Sequence, residues 1–272
     1  MVTENHLNGT YLKMYTADAN KHLLFLLPGQ SLSPRVFWDY PTDEGSHAQW
    51  FLSQGIDVVL FDPVGYGNSQ EFYSYDRVGY AKQIIDATKS LPDKYDNKVI
   101  FGFSTSTAPA LIASHQYFNK VIIHSPVIRQ DPKYFVPHQE VLDVSIDKLI
   151  TNRIGNISDK LIPKPNRVDG WKEKILSVIG KTEWKVPAKV VHDVGNYYPK
   201  RNQNGFDENK VPPILSIVGQ YDYEITTGGY SLFKKYFPNI QEVIIPNSTH
   251  FSMWENEYKM TLQAIRDYAK GT

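Results

Sequence analysis

Continuously apolar runs separated by helix-length segments constrain this chain more than any other feature. Five such runs are HLLFLLPG (22–29), DVVLFDP (57–63), KVIFGFS (98–104), KVIIHSPV (120–127) and PILSIVGQYD (213–222); a shorter sixth is EVIIPNSTH (242–250). A strand covered on one face alternates apolar and polar residues, whereas a strand buried on both faces has no need to. These runs, rich in Val, Ile, Leu and Phe, are of the second kind. Between them lie segments 46–54, 76–90, 105–117, 227–237 and 254–269, and the last spaces Trp254, Tyr258, Leu262 and Ile265 along one helical face. The alternation predicts an α/β fold built on a doubly wound, mostly parallel sheet. GTYLKMYTA (9–17) is expected to add an antiparallel edge strand.

The stretch from about 128 to 210 breaks this rhythm with prolines, scattered aromatics and helical pieces such as HQEVLDVSIDKLITNRIG and GWKEKILSVIG. It is too polar for a second core and too long for a bare loop. We read it as a mainly helical insertion at 128–210, with a core made of 1–127 and 211–272. A length of 272 residues suits one large domain carrying such an insertion.

Basic and acidic residues balance at 29 each, so no global field favours nucleic acid or an anionic membrane, and neither is expected as a partner. The absence of cysteine excludes disulfides, thiolate metal sites and a cysteine nucleophile. No His/Asp cluster has metal-ligand spacing and no Gly-x-Gly-x-x-Gly occurs, so no metal or other cofactor is expected. The stretch MVTENHLNGTYLKMYTADANK lacks the apolar segment of a signal peptide, and no run approaches the ~18–20 apolar residues of a membrane span. A soluble cytoplasmic protein is the expectation; nothing readable speaks to oligomeric state.

One strand ends in Gly102-Phe103-Ser104-Thr105-Ser106, with TSTAPALIASH as a helix behind it. A hydroxyl is a poor nucleophile unless a base takes its proton and something stabilises the oxyanion that follows. A sharp strand-to-helix turn lifts the serine above the sheet and sets the next N–H at a helix N-terminus. Such a turn crowds the positions two before and two after the serine, and both are small here. Taken alone, Ser104 fits a nucleophile or an N-cap serine equally.

With these residues in view, the chain resembles the α/β-hydrolase superfamily over about 22–127 and 211–270. Its elbow is Gly-x-Ser-x-Gly, and this sequence departs from it with Ser106 at the last position. The superfamily orders its triad Ser, Asp, His. Asp222 in SIVGQYDYE and His250 in PNSTHFSMWEN stand where its acid and its histidine would be, with Glu224 as a substitute acid. Read locally, Asp222 also suits a turn and His250 an exposed loop. The resemblance implies that His250 takes the Ser104 proton while Asp222 orients the imidazole. The oxyanion would be held by the backbone N–H groups of Thr105 and of Gln30 in LLPGQSLSPRVFWD, where Pro28 replaces the usual loop histidine. FDPVGYGNS (61–69) matches a structural loop, which assigns Asp62 to the scaffold. His124 reads as a core or rim residue, and Trp171, Trp184, Tyr197 and Tyr198 as packing.

In this superfamily an insertion placed like 128–210 is a cap over the serine. The implied activity is hydrolysis of a carboxylic ester, thioester or lactone of a small-molecule acyl substrate, through an acyl-enzyme. The same triad also serves carbon–carbon bond hydrolysis or acyl transfer, and the fold also hosts binding proteins without turnover.

Overall fold

The structure, a computed structural model, describes residues 1–29, 38–39, 41–42, 45–64, 68–69, 77–127, 207–222, 225 and 228–272. Among these, eight strands form one sheet: β1 (Val2–Leu7), β2 (Thr10–Tyr15), β3 (His22–Leu26), β6 (Ile56–Asp62), β7 (Asn97–Phe103), β8 (Lys120–His124), β9 (Ile214–Gly219) and β10 (Gln241–Ile245). A separate two-stranded ribbon pairs β4 (Pro41–Thr42) with β5 (Gly45–Ser46). The sheet order is β1-β2-β6-β3-β7-β8-β9-β10. From β6 to β10 all pairings are parallel, and β1 and β2 are antiparallel. This is the mostly parallel, doubly wound sheet that the apolar runs predict.

The edge is one strand further out than expected. Asn8 and Gly9 both have positive φ, 49° and 83°, which closes a two-residue hairpin between Leu7 and Thr10. The segment expected at the edge is therefore an inner strand, β2, paired on one side with β1 and on the other with β6. The Asn-Gly pair was the available signal. Its polar flank VTENHL hid the strand before it, because an edge strand with exposed side chains needs no apolar pattern.

Helices cover both faces. On one side pack α2 (Arg77–Thr88), α3 (Thr107–Tyr117) and α4 (Gly229–Tyr236); on the other pack α1 (His47–Ser53) and α5 (Tyr258–Lys270). Successive residues of one strand feed opposite cores. Leu23, Phe25 and Leu27 join Tyr80, Ile84, Leu111 and Phe233, while Leu24 and Leu26 join Phe51, Leu262 and Ile265. Both sets are essentially solvent-free. That double burial is why the runs are apolar without alternation, at roughly 1.5–3 kcal/mol for each large side chain removed from water.

The C-terminal ends of β7, β8, β9 and β10 lie side by side, and the turns that follow them hold the residues described next. At the end of β6 the Asp62 carboxylate accepts the Asn68 N–H at 3.0 Å, the Asp62 carbonyl accepts the Ser69 hydroxyl, and Ser69 Oγ accepts the Tyr11 N–H at 2.7 Å. These bonds are those of a scaffold residue.

Candidate active site

Strand β7 ends in extended backbone at Phe103, and the next residue, Ser104, turns to φ 53°. This is the left-handed region, which costs an L-residue roughly 1–2 kcal/mol. A 3-10 turn, Ser104–Ser106, leads directly into α3. The turn is tight: a Cβ added at Gly102 would lie 2.8 Å from both Ala110 Cβ and the Ser106 carbonyl oxygen. Ser106 has ordinary dihedrals, φ −78° and ψ 3°, so the last position of the motif accepts a side chain without opening the turn. The Thr105 N–H belongs to this first helical turn, where amides have no acceptor within the helix.

Asp222 and His250 come from the turns after β9 and β10. Since β10, β9, β8 and β7 are consecutive, the histidine must reach across three strand spacings, about 15 Å, to meet a residue on β7. The chain does this by lying across the strand ends. It passes β9 at Gly219, where a Cβ would sit 2.1 Å from the Thr249 carbonyl oxygen and 2.6 Å from that of Ser248. Only a glycine permits that approach. There the Tyr221 N–H donates to the Ser248 carbonyl at 2.8 Å, and the Asp222 N–H to that of Gly219 at 3.0 Å. At the end of β8, Ser125, itself at φ 52°, donates its hydroxyl to the His250 carbonyl at 3.2 Å.

The result is a continuous chain of contacts. His250 Nε2 lies 3.0 Å from Ser104 Oγ, and His250 Nδ1 lies 3.1 and 3.2 Å from the two Asp222 carboxylate oxygens. Asp222 is wholly buried, and Ser104 and His250 nearly so. A carboxylate accepts, so Nδ1 carries the imidazole proton and Nε2 is left to accept from the serine hydroxyl. Phe103 and Phe251 pack on the His250 ring at 5.2 and 5.3 Å between centroids. An arrangement of this kind can move a serine proton to a held imidazole.

Further buried polar groups brace the histidine loop. Glu255 accepts the Thr249 N–H at 2.7 Å and also the Thr249 hydroxyl, and burial holds its carboxyl above the usual carboxylate range. His124 Nε2 meets Ser252 Oγ at 2.7 Å, and Ser252 meets Thr261 at 2.8 Å, tying the loop to α5. Burial, and then the neighbouring His250, pushes His124 down to about 3, so it is neutral. Its Nδ1 has no hydrogen-bond partner among the described residues.

Of the residues singled out in the sequence, Ser104, Thr105, Asp222 and His250 lie together at this end of the sheet. Gln30, Glu224, Trp171, Trp184, Tyr197 and Tyr198 lie outside the described residues, as does most of 128–210. Gly219, Ser125, Ser252 and Glu255 were not singled out. Gly219 stands in the Gly-x-x-Asp turn and so left a trace, whereas nothing local distinguishes Ser125 or Glu255 from surface residues. Among the described residues no cluster of three or more His, Cys, Asp or Glu could hold a metal, and no helix is long and apolar enough to cross a membrane.

No family model and no curated protein sequence matches the chain. Solved structures do. A carboxylesterase of the thaumarchaeon Nitrososphaera gargenis has a TM-score of 0.68 at 14% identity, covering 100% of this chain and 99% of that one. A thermophilic esterase from Thermogutta terrifontis, with malate bound, gives 0.66 at 17% identity, with coverage of 100% and 98%. A thioesterase domain from the curacin biosynthetic pathway gives 0.65 at 12% identity, with coverage of 100% and 99%. The fold of this chain is the α/β-hydrolase fold.

Proposed function

We propose that the chain is a serine hydrolase that cleaves a carboxylic ester, thioester or lactone through an acyl-enzyme. The observation that carries this reading is the run of contacts Ser104 Oγ–His250–Asp222, assembled from three turns distant in sequence. The strained backbone of Ser104 supports it, since strain of this kind persists where it serves a function. So does the description of structural neighbours as esterases and a thioesterase.

In this reading Ser104 Oγ attacks the acyl carbonyl while its proton passes to His250 Nε2. The carbonyl π electrons move to oxygen, and the resulting oxyanion is met by the Thr105 N–H, with the Gln30 N–H as second donor. Collapse expels the alcohol or thiol, which takes the proton from His250. Water then repeats the sequence: His250 removes its proton, the oxygen attacks the acyl-serine, and the proton returns to Ser104 as the acid leaves. Asp222 stays ionised throughout and stabilises the imidazolium formed in each half. The end of β8 brings Ser125 to the His250 carbonyl, and we assign the following insertion, 128–210, the role of cap and of substrate selection.

The test combines a fluorophosphonate probe with p-nitrophenyl esters, acyl-CoA thioesters and lactones. Wild type is labelled on Ser104 and turns over at least one ester class, and Ser104→Ala abolishes labelling and lowers kcat by at least about 10⁴-fold. Undiminished turnover in folded Ser104→Ala overturns the proposal.

A further inference from the structure

The two positions at which this sequence leaves the superfamily pattern, Pro28 and Ser106, are joined in the structure: the Ser106 hydroxyl donates to the Pro28 carbonyl. A hydroxyl has one proton to give, so the Tyr80 hydroxyl, 3.2 Å from Ser106 Oγ, is the donor of that second bond. All three residues are buried, Tyr80 and Ser106 to 1% exposure. A relay of donors therefore runs from α2, through the elbow, to the main chain leaving β3.

The same short segment is fixed at two more points. The Leu27 N–H donates to the Phe101 carbonyl at 3.0 Å, extending the β3–β7 ladder. Gly29 is pressed onto the Phe103 ring, where an added Cβ would lie 2.5 Å from Cδ1. Residues 27, 28 and 29 are thus held by residues 101, 106 and 103, partners that bracket Ser104 and Thr105. Proline brings no N–H of its own, so its carbonyl is the one main-chain hydrogen-bonding group of residue 28, and it is buried. A glycine at position 106 would supply no partner for it.

We propose that Ser106 is a positioning residue for oxyanion stabilisation: its hydroxyl locks the elbow that carries Ser104 and the Thr105 N–H against the Pro28–Gly29 main chain. The inference rests on the reading of Ser104 as the nucleophile. It also makes the two departures a matched pair, with serine supplying the bracing that a loop histidine would otherwise give.

The test is Ser106→Ala, with Ser106→Gly as the second variant should the alanine form not fold. With p-nitrophenyl acetate, kcat falls about 10- to 100-fold while KM changes by less than about 2-fold. The shape of the pH–rate profile stays as in wild type, because the His250–Asp222 contact is untouched. Hydrogen exchange of the amides in 23–29 becomes faster. A folded variant with unchanged kcat, or one whose pH–rate profile moves, overturns the proposal. If wild type neither takes the fluorophosphonate probe nor hydrolyses any ester, the hydrolase reading has failed. Hydrogen exchange then still decides the Ser106–Pro28 lock by itself, and unchanged exchange in Ser106→Ala refutes it.

Discussion

Ser104 combines a side chain in contact with the His250 imidazole with a main chain held where L-residues are seldom found, at φ 53°. The two can be separated by substitution. Alanine at this position keeps the strain and removes the hydroxyl, while glycine removes both, since it populates positive φ without a Cβ clash. The greater freedom of glycine in the unfolded chain takes back part of the gain. Ser104→Gly is therefore expected to be more stable than Ser104→Ala by about 0.5–1 kcal/mol, read as a melting temperature higher by roughly 2 °C. Equal melting temperatures would mean that the turn carries no strain. Ser125 has the same backbone signature at φ 52°, and the use of its hydroxyl, on the His250 carbonyl, explains why a serine stands there.

Among the elements, the turn after β10 has the hardest task, because it must lie across β9 and β8 for His250 to reach β7. Gly219 is the point of closest passage. In Gly219→Ala the new methyl group meets the Thr249 carbonyl oxygen at 2.1 Å, and backbone cannot rotate aside as a side chain would. The loop has to lift. The expected outcome is a folded protein less stable by about 1–3 kcal/mol, with kcat/KM reduced at least about 100-fold by loss of the His250–Ser104 contact; ester assays beside urea unfolding check both. The elements themselves were legible in the sequence, since a strand buried on two faces advertises itself by unbroken apolarity and the serine turn by its small neighbours. The bracing was not. Ser125 and Ser252 act through partners 125 and 128 positions away, which no window of sequence brings into view, and Glu255, only 6 positions from Thr249, has no local pattern that marks it as a partner. The strand β1 escaped for the opposite reason: its side chains are mostly exposed, so it carries no apolar signature.

For the whole molecule, the buried histidines set a direction for pH dependence. Burial pushes His47 down to about 4 and His124 down to about 3, from an ordinary 6.5. A depressed folded value means that the unfolded chain takes the proton first, so the contribution is complete above 6.5 and is lost as pH falls towards the folded value. Between pH 7 and pH 5 each histidine removes roughly 2 kcal/mol. Glu255 opposes them: its carboxyl is raised by burial, so its contribution is present in acid and is lost as pH rises through the folded value. Burial also lowers His22 and His115, and the urea midpoint is expected to drop from pH 7 to pH 5, by less in His47→Gln. A midpoint indifferent to pH would refute this. The direct pairing of β8 with β9 has a consequence of another kind. Those two strands are hydrogen-bonded neighbours, although residues 125–213 separate them, a span many times the ~12 residues that a parallel crossover requires. The surplus adds no rung between them, so the length and sequence of that stretch can change while the register of the sheet stays as it is.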